Sequence, residues 1–119
     1  IMSYILEDFL FYMIHLVFHR VKILYYFHKQ HHKWQNPMMV QSLDCSLLEH
    51  LSVNILPPVF IAYIFKMNHD LAIIWQFLGT MNALFSHSTL EKFHVLHHRK
   101  QNLNYGVSGL SDLIFATRG

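Results

Sequence analysis

The sequence predicts an all-α fold, an integral membrane helical domain with three apolar segments and a cytoplasm-facing histidine cluster. Three observations carry that prediction. Hydrophobic residues make up 53% of the 119 positions and charged residues only 13%, a proportion rich in apolar side chains for a small water-soluble domain. The apolar residues gather in three stretches separated by polar ones. Eight of the eleven histidines fall into three short arrays, His15/His19, His28/His31/His32 and His94/His97/His98. On a helix the offsets i, i+3 and i+4 share one face, so each array is expected to aim two or three imidazoles at one point.

The first apolar segment runs from Ile1 to Phe18, the second from Leu47 to Phe65 and the third from Leu71 to Phe85. A straight helix needs about 20 apolar residues to cross a bilayer, so these are marginal and the third is short. Tilted, re-entrant or covered helices are expected. Pro57 and Pro58 predict a kink in the second segment, and the run from Lys66 to Asp70 predicts a polar turn before the third. The first two arrays follow segment one, and the last follows segment three. Two apolar segments lie between them, so a pair of crossings, or a hairpin that never crosses, brings all the arrays to the same side. Arg20, Lys22, Lys29, Lys33, Lys92, Arg99 and Lys100 surround the arrays, which predicts that this side is cytoplasmic.

The formal charge of +2 is too slight for a nucleic-acid partner. Cys45, alone, allows neither an internal disulfide nor a zinc-finger pattern and is read as structural. The apolar N-terminal stretch contains Glu7, Asp8 and His15, which does not fit a signal peptide. With Ile1 first and no obvious ending at Gly119, the chain is read as one domain, residues 1–119, of a longer membrane protein.

Imidazole binds zinc, copper, iron and nickel, so residue type alone leaves the metal open. Eight neutral imidazoles exceed the four-coordinate shell of one zinc ion and suit two ions with open positions. A redox metal pair fed by oxygen and electrons can oxidise an unactivated C–H bond of a lipid, which side chains cannot do alone. Two other classes remain on these residues: a non-catalytic or zinc-loaded histidine cluster, and a haem protein with two axial histidines. Haem gives no reason for two H-x-x-H-H boxes.

The run from Asp8 to His19, then His28-Lys-Gln-His-His32, then His94-Val-Leu-His-His98, resembles the fatty acid hydroxylase / sterol desaturase superfamily of membrane di-iron oxygenases. Leu48 to Pro57 is similar to that family's middle helix, Asn82 to Ser88 to the stretch before its last box, and Asn104-Tyr-Gly106 with Asp112 to Phe115 to its closing segment. The resemblance implies metal ligation by His15, His19, His28, His31, His32, His94, His97 and His98, with His87 matching an extra upstream histidine. It implies two iron ions, dioxygen, a lipid substrate such as a sterol or fatty acid, and hydroxylation or desaturation in lipid biosynthesis. Electrons would come from NAD(P)H through a cytochrome b5-type partner or a reductase, because the chain holds no dinucleotide-binding glycine fingerprint. In a eukaryote it implies the endoplasmic reticulum membrane. The sequence departs from the family pattern at Leu16, at Ser46-Leu47, at the six residues between His87 and His94, and at Thr117-Arg118.

Outside the boxes, His69 reads as a loop residue and His50 as a weaker candidate for a place near the metal. Asp8, by its offsets of 7 and 11 from His15 and His19, either accepts an imidazole N–H or caps a helix. Glu49 and Glu91 share that ambiguity.

Overall fold

A computed structural model describes residues 1–88 and 90–119, and among them there are helices and turns but no strand. Helix α1 spans Met2–Arg20 and ends on His19 and Arg20, basic residues that suit the negative end of the helix dipole. Val21 breaks it in extended conformation, and α2 covers Lys22–His28. The chain then tightens into short 3-10 turns at His31–Lys33 and Met39–Leu43. The second histidine box is therefore not one helix face: only His28 lies on α2, while His31 and His32 sit on the turn beyond it.

The second apolar segment is a composite helix. Ser46 accepts from Glu49 N at 3.2 Å and starts α3, Leu47–Glu49. A π-helical stretch, His50–Ile55, follows, and α4 continues over Leu56–Ile64 with the prolines in its first turn. Pro57 and Pro58 have no N–H for the carbonyls of Val53 and Asn54 four residues back, so the ladder widens there. Gln76 Nε2 supplies the missing donor to the Asn54 carbonyl at 3.4 Å. The expected kink thus takes the form of a π-turn re-satisfied from a neighbouring helix. Helix α5, His69–Ser86, begins where Asn68 accepts from Leu71 N at 2.9 Å. Helix α6, Phe93–Lys100, is capped by Glu91, which accepts from Phe93 N and His94 N, both at 2.8 Å. It stops at Gln101 in left-handed conformation, and α7 covers Leu110–Ile114.

Among the described residues, one helix is long and apolar enough to cross a membrane, Leu47–Ile64. Helix α1 carries Glu7, Asp8 and two histidines inside it, and α5 opens on His69 and Asp70. The burial pattern is nonetheless inverted relative to a water-soluble fold. The buried apolar side chains include Tyr12, Phe18, Val53, Ile61 and Tyr105, whereas the buried polar set holds Asp8, Glu49, Asp112 and eight histidines. Outward-facing positions on α4 and α5, such as Phe60, Tyr63, Ile73 and Phe77, are apolar and exposed. Such a surface is costly in water and matched by a hydrocarbon solvent.

The C-terminal segment is fastened to α1 by two carboxylates. Asp8 accepts from Ser108 N at 2.6 Å, Ser108 Oγ at 2.9 Å and Ser111 N at 2.9 Å. Of its two sequence readings, capping holds, and the helix it caps is α7 rather than its own. Asp112 accepts from Tyr105 N and Gly106 N, both at 2.7 Å. Gly106 passes so close that a Cβ there would lie 2.8 Å from Asp112 Oδ2 and 3.1 Å from Asp8 Oδ1. A side chain at this position has no room.

Candidate metal centre

All nine histidines singled out from the sequence come together, in two adjoining groups that could each hold a metal ion. One group is His15, His19, His28, His32 and His97; the other is His31, His87, His94 and His98. His15 and His19 both serve the first group, but the two H-x-x-H-H arrays are divided between the groups rather than each serving one point. His28 and His32 turn to the first group and His31 to the second, while His97 joins the first and His94 and His98 the second. Neighbours in sequence on a helical turn point about 100° apart, so a doubled histidine straddles two sites. The groups touch: the His32 and His98 rings lie 4.6 Å apart and His94 and His97 5.2 Å apart.

The hydrogen bonds at the outer nitrogens decide what the inner ones can do. His15 Nδ1 donates to the Tyr105 carbonyl at 2.8 Å, His97 Nδ1 to that of Leu103 at 2.6 Å, and His28 Nδ1 to Glu49 Oε1 at 2.8 Å. In the second group, His98 Nδ1 donates to the Trp34 carbonyl at 2.9 Å and His87 Nδ1 to that of Ala83 at 2.7 Å. A neutral imidazole that donates from Nδ1 presents a lone pair at Nε2. Yet His15 Nε2 sits 3.1 Å from His28 Nε2, which in turn lies 2.9 Å from both His19 Nε2 and His32 Nε2. Between His15 and His28 no proton is left to bridge the nitrogens, so lone pair faces lone pair. The buried Nε2 atoms of His94 and His98 have no hydrogen-bond partner. A cation shared by these nitrogens resolves both the repulsion and the missing bonds.

Electrostatics favour the neutral, ligating form. Burial, followed by the charges of His15, His98 and Arg20, pushes His19 down to about 2. Burial and the neighbouring His87 push His98 down to about 3, against the raising effect of the Trp34 carbonyl. His31, His94 and His97 are held well below the usual imidazole value, with burial again the largest cause.

Glu49 accepts from His28, whereas Glu91 accepts from the backbone and caps α6. His50 stands apart from both groups, accepting from Asn54 Nδ2 at 3.3 Å, and His69 is exposed beside Asp70. Burial and the nearby Glu49 push the Cys45 thiol up to about 12, which suppresses the thiolate and fits a structural residue. The sequence reading missed the backbone carbonyls of Trp34, Ala83, Leu103 and Tyr105, which orient four imidazoles. Carbonyls carry no residue signature, so nothing in the sequence marks them.

A cavity of about 1070 Å³ opens against both groups, reaching His15 and His28 of the first and His31, His87 and His94 of the second. Its apolar lining includes Phe11, Val53, Ile55, Pro58 and Leu78. The volume is at the upper end of ordinary ligand pockets, roughly 300–1,000 Å³.

The family model for fatty acid hydroxylase matches residues 1–117. The chain belongs to the fatty acid hydroxylase family. It is 30% identical over 120 aligned residues to fatty acid hydroxylase domain-containing protein 2 of Macaca fascicularis, covering 95% of this chain and 36% of that protein. The Homo sapiens protein of the same name is matched at the same identity and coverage. Fatty acid hydroxylase ahd1 of Mycosarcoma maydis is 31% identical over 121 residues, 95% of this chain and 31% of that protein. The chain thus spans about a third of the length of these curated relatives. No solved structure matches.

Proposed function

We propose that this fatty acid hydroxylase family chain is the catalytic domain of an integral membrane oxidoreductase that hydroxylates or desaturates a lipid with dioxygen at a two-iron centre. The observation that carries this reading is the pair of imidazole groups, their lone pairs converging at the end of a largely apolar cavity. His15, His19, His28, His32 and His97 would hold one ion, and His31, His87, His94 and His98 the other. Iron bound there would supply oxygen activation and hydrogen abstraction from an unactivated carbon, which no side chain provides. Family membership favours iron over zinc, and the packing of Nε2 atoms at 2.9–3.2 Å favours small ions over a porphyrin.

The chain's own residues supply the setting. Glu49 and the four carbonyls fix which imidazole nitrogen faces inward. Burial of the histidines keeps water from the centre, and the cavity walls bring a hydrocarbon chain to it. Exposed Arg20, Lys22, Lys29, Lys33, Arg99 and Lys100 flank the histidine elements and suit an acidic electron-donor protein, a cytochrome b5-type carrier or a reductase drawing on NAD(P)H. The same basic excess favours the cytoplasmic face, and in a eukaryote the endoplasmic reticulum membrane.

The test is metal content and oxygen uptake of the full-length protein in membranes, beside a His97→Ala/His98→Ala double variant. About two irons per chain, with reductant-dependent uptake lost in the variant, is the expected result. Absence of iron under iron-loading conditions, or metal and uptake unchanged in the variant, overturns the reading.

A further inference from the structure

The nine clustered histidines are not equally enclosed. Eight are buried, and His19 alone is partly exposed. Its Nε2 turns inward, within 3.1 Å of the Nε2 atoms of His28, His32 and His97, so the exposed part is the outer edge of the ring. His19 is not among the imidazoles that the cavity reaches, and that edge therefore faces away from the lipid path. It lies on the last turn of α1, with the Tyr105 ring 5.2 Å and the Tyr25 ring 6.0 Å away. The Tyr25 hydroxyl donates to Gln101 Oε1 at 2.8 Å, which brings α2 and the end of α6 together beside this edge.

The charges there are of one sign. Arg20 ends α1, Lys22 begins α2 on the same face as Tyr25, and Lys100 ends α6. All three are exposed, and none is paired with a carboxylate among the described residues. The approach over the second group differs. There the Trp34 backbone covers His98 Nδ1, Lys33 is paired with half-exposed Asp44 at 2.5 Å, and Arg99 is bonded to Asn36.

We propose that electrons enter the first group through His19, and that Arg20, Lys22 and Lys100 form the ring on which an acidic one-electron carrier protein docks over it. The inference rests on the oxygenase reading and narrows its donor surface to one face and one of the two ion groups. Electron tunnelling weakens steeply with distance, so the ligand whose ring reaches the surface is the shortest way in. Unpaired positive charges attract an acidic protein and repel a metal cation, which favours a docking face over a loading port for metal. Each encounter oxidises the carrier by one electron and reduces one ferric ion to ferrous. Two such transfers, with two protons from water, balance the hydroxylation of one C–H bond by dioxygen to an alcohol and a water.

The experiment uses the soluble haem domain of an acidic cytochrome b5 as probe and the full-length protein in detergent. Its binding to zinc-loaded protein is expected to weaken roughly tenfold in Lys22→Glu/Lys100→Glu at low salt, and much less at high salt. Lys66→Glu, beyond the other end of the composite helix, should leave it unchanged. Carbodiimide cross-linking should join probe carboxylates to Lys22 or Lys100, and with iron-loaded protein the anaerobic reoxidation of ferrous probe should slow in the double variant. Lys22→Gln/Lys100→Gln reports with a smaller loss in the same direction if the reversals fail to fold. Affinity unchanged in these variants, cross-links confined to Lys33, or reoxidation at the parental rate overturns the port. Binding to zinc-loaded protein needs no iron chemistry, so iron content measured separately reports on the oxygenase reading alone.

Discussion

Glu49 takes the Nδ1 proton of His28 at 2.8 Å, and both side chains are almost wholly buried. Among the described residues it is the one carboxylate bonded to an imidazole of either group, whereas His15, His87, His97 and His98 turn their outer nitrogens to backbone carbonyls. Glu49 therefore fixes the tautomer of His28 and strengthens Nε2 as a donor toward a cation. Glu49→Gln can still accept the proton but without charge. Metal affinity, read by competition with a chelator, is expected to fall about tenfold, and further in Glu49→Leu, which leaves the N–H unpaired. Unchanged affinity in Glu49→Leu would show that the contact does not support ligation.

Gly106 is fixed by what lies around it rather than by its backbone angle. A Cβ placed 2.8 Å from Asp112 Oδ2 and 3.1 Å from Asp8 Oδ1 displaces both carboxylates that fasten the closing segment. The Tyr105 carbonyl, one residue away, then loses its position over His15 Nδ1. Gly106→Ala is expected to lower stability by about 2–3 kcal/mol, with weaker metal retention. A melting temperature in detergent equal to that of the parent would refute this.

Protons compete with the cation for the same nitrogens. For His98, burial and His87 lower the folded value to about 3, against about 6.5 in an unfolded chain. Between these values the unfolded chain binds more protons, so stability is fully present above about pH 6.5 and is lost as pH falls toward 3. Metal-free protein is expected to unfold progressively across that window, and bound metal to shift the loss to lower pH. Denaturant titrations at pH 7.5 and 5 check the sign: equal stability at both would contradict it.

The metal-binding grammar was legible in the sequence because ligand spacing follows helix geometry: His15/His19 and His94/His97/His98 lie within α1 and α6 as their spacing predicts. His28/His31/His32 has the same spacing but sits on a helix end and a 3-10 turn, since Asp44, bonded to Gln30, Lys33 and Trp34, fixes that turn through contacts distant in sequence. Division of the doubled histidines between two groups was not legible either, because it depends on how α6 packs against the turn. Asp8 showed a polar residue in an apolar stretch, but its partners are about a hundred residues away. Pairings of that range leave no local pattern.

The two groups are expected to fill separately. His98→Ala removes a ligand from the group with four imidazoles, and His97→Ala from the group with five. The smaller group has less redundancy, so His98→Ala should lower metal content toward one ion per chain, while His97→Ala should retain more. Both should lose turnover, because the groups touch through the rings of His94 and His97. Metal analysis after dialysis at fixed free iron separates them; equal loss of all metal in both variants would mean one cooperative site.

The π-turn shapes the cavity and carries none of the nine clustered histidines. Val53, Asn54, Ile55, Pro58 and Val59 all line the cavity, and the turn exists where Pro58 withholds an N–H from the Asn54 carbonyl. Pro58→Ala returns that donor, which competes with Gln76 Nε2 and favours a regular α-helix over 50–59. The wall is then re-registered by a fraction of a turn. No ligand lies on this helix, and Glu49, which supports His28, sits ahead of the π-stretch with its own N–H held by Ser46, so metal content should be unchanged, whereas the preferred lipid length should shift. Product analysis over a series of lipid lengths reads the shift, and an unaltered length profile with intact metal would show that the π-turn does not set the cavity's shape.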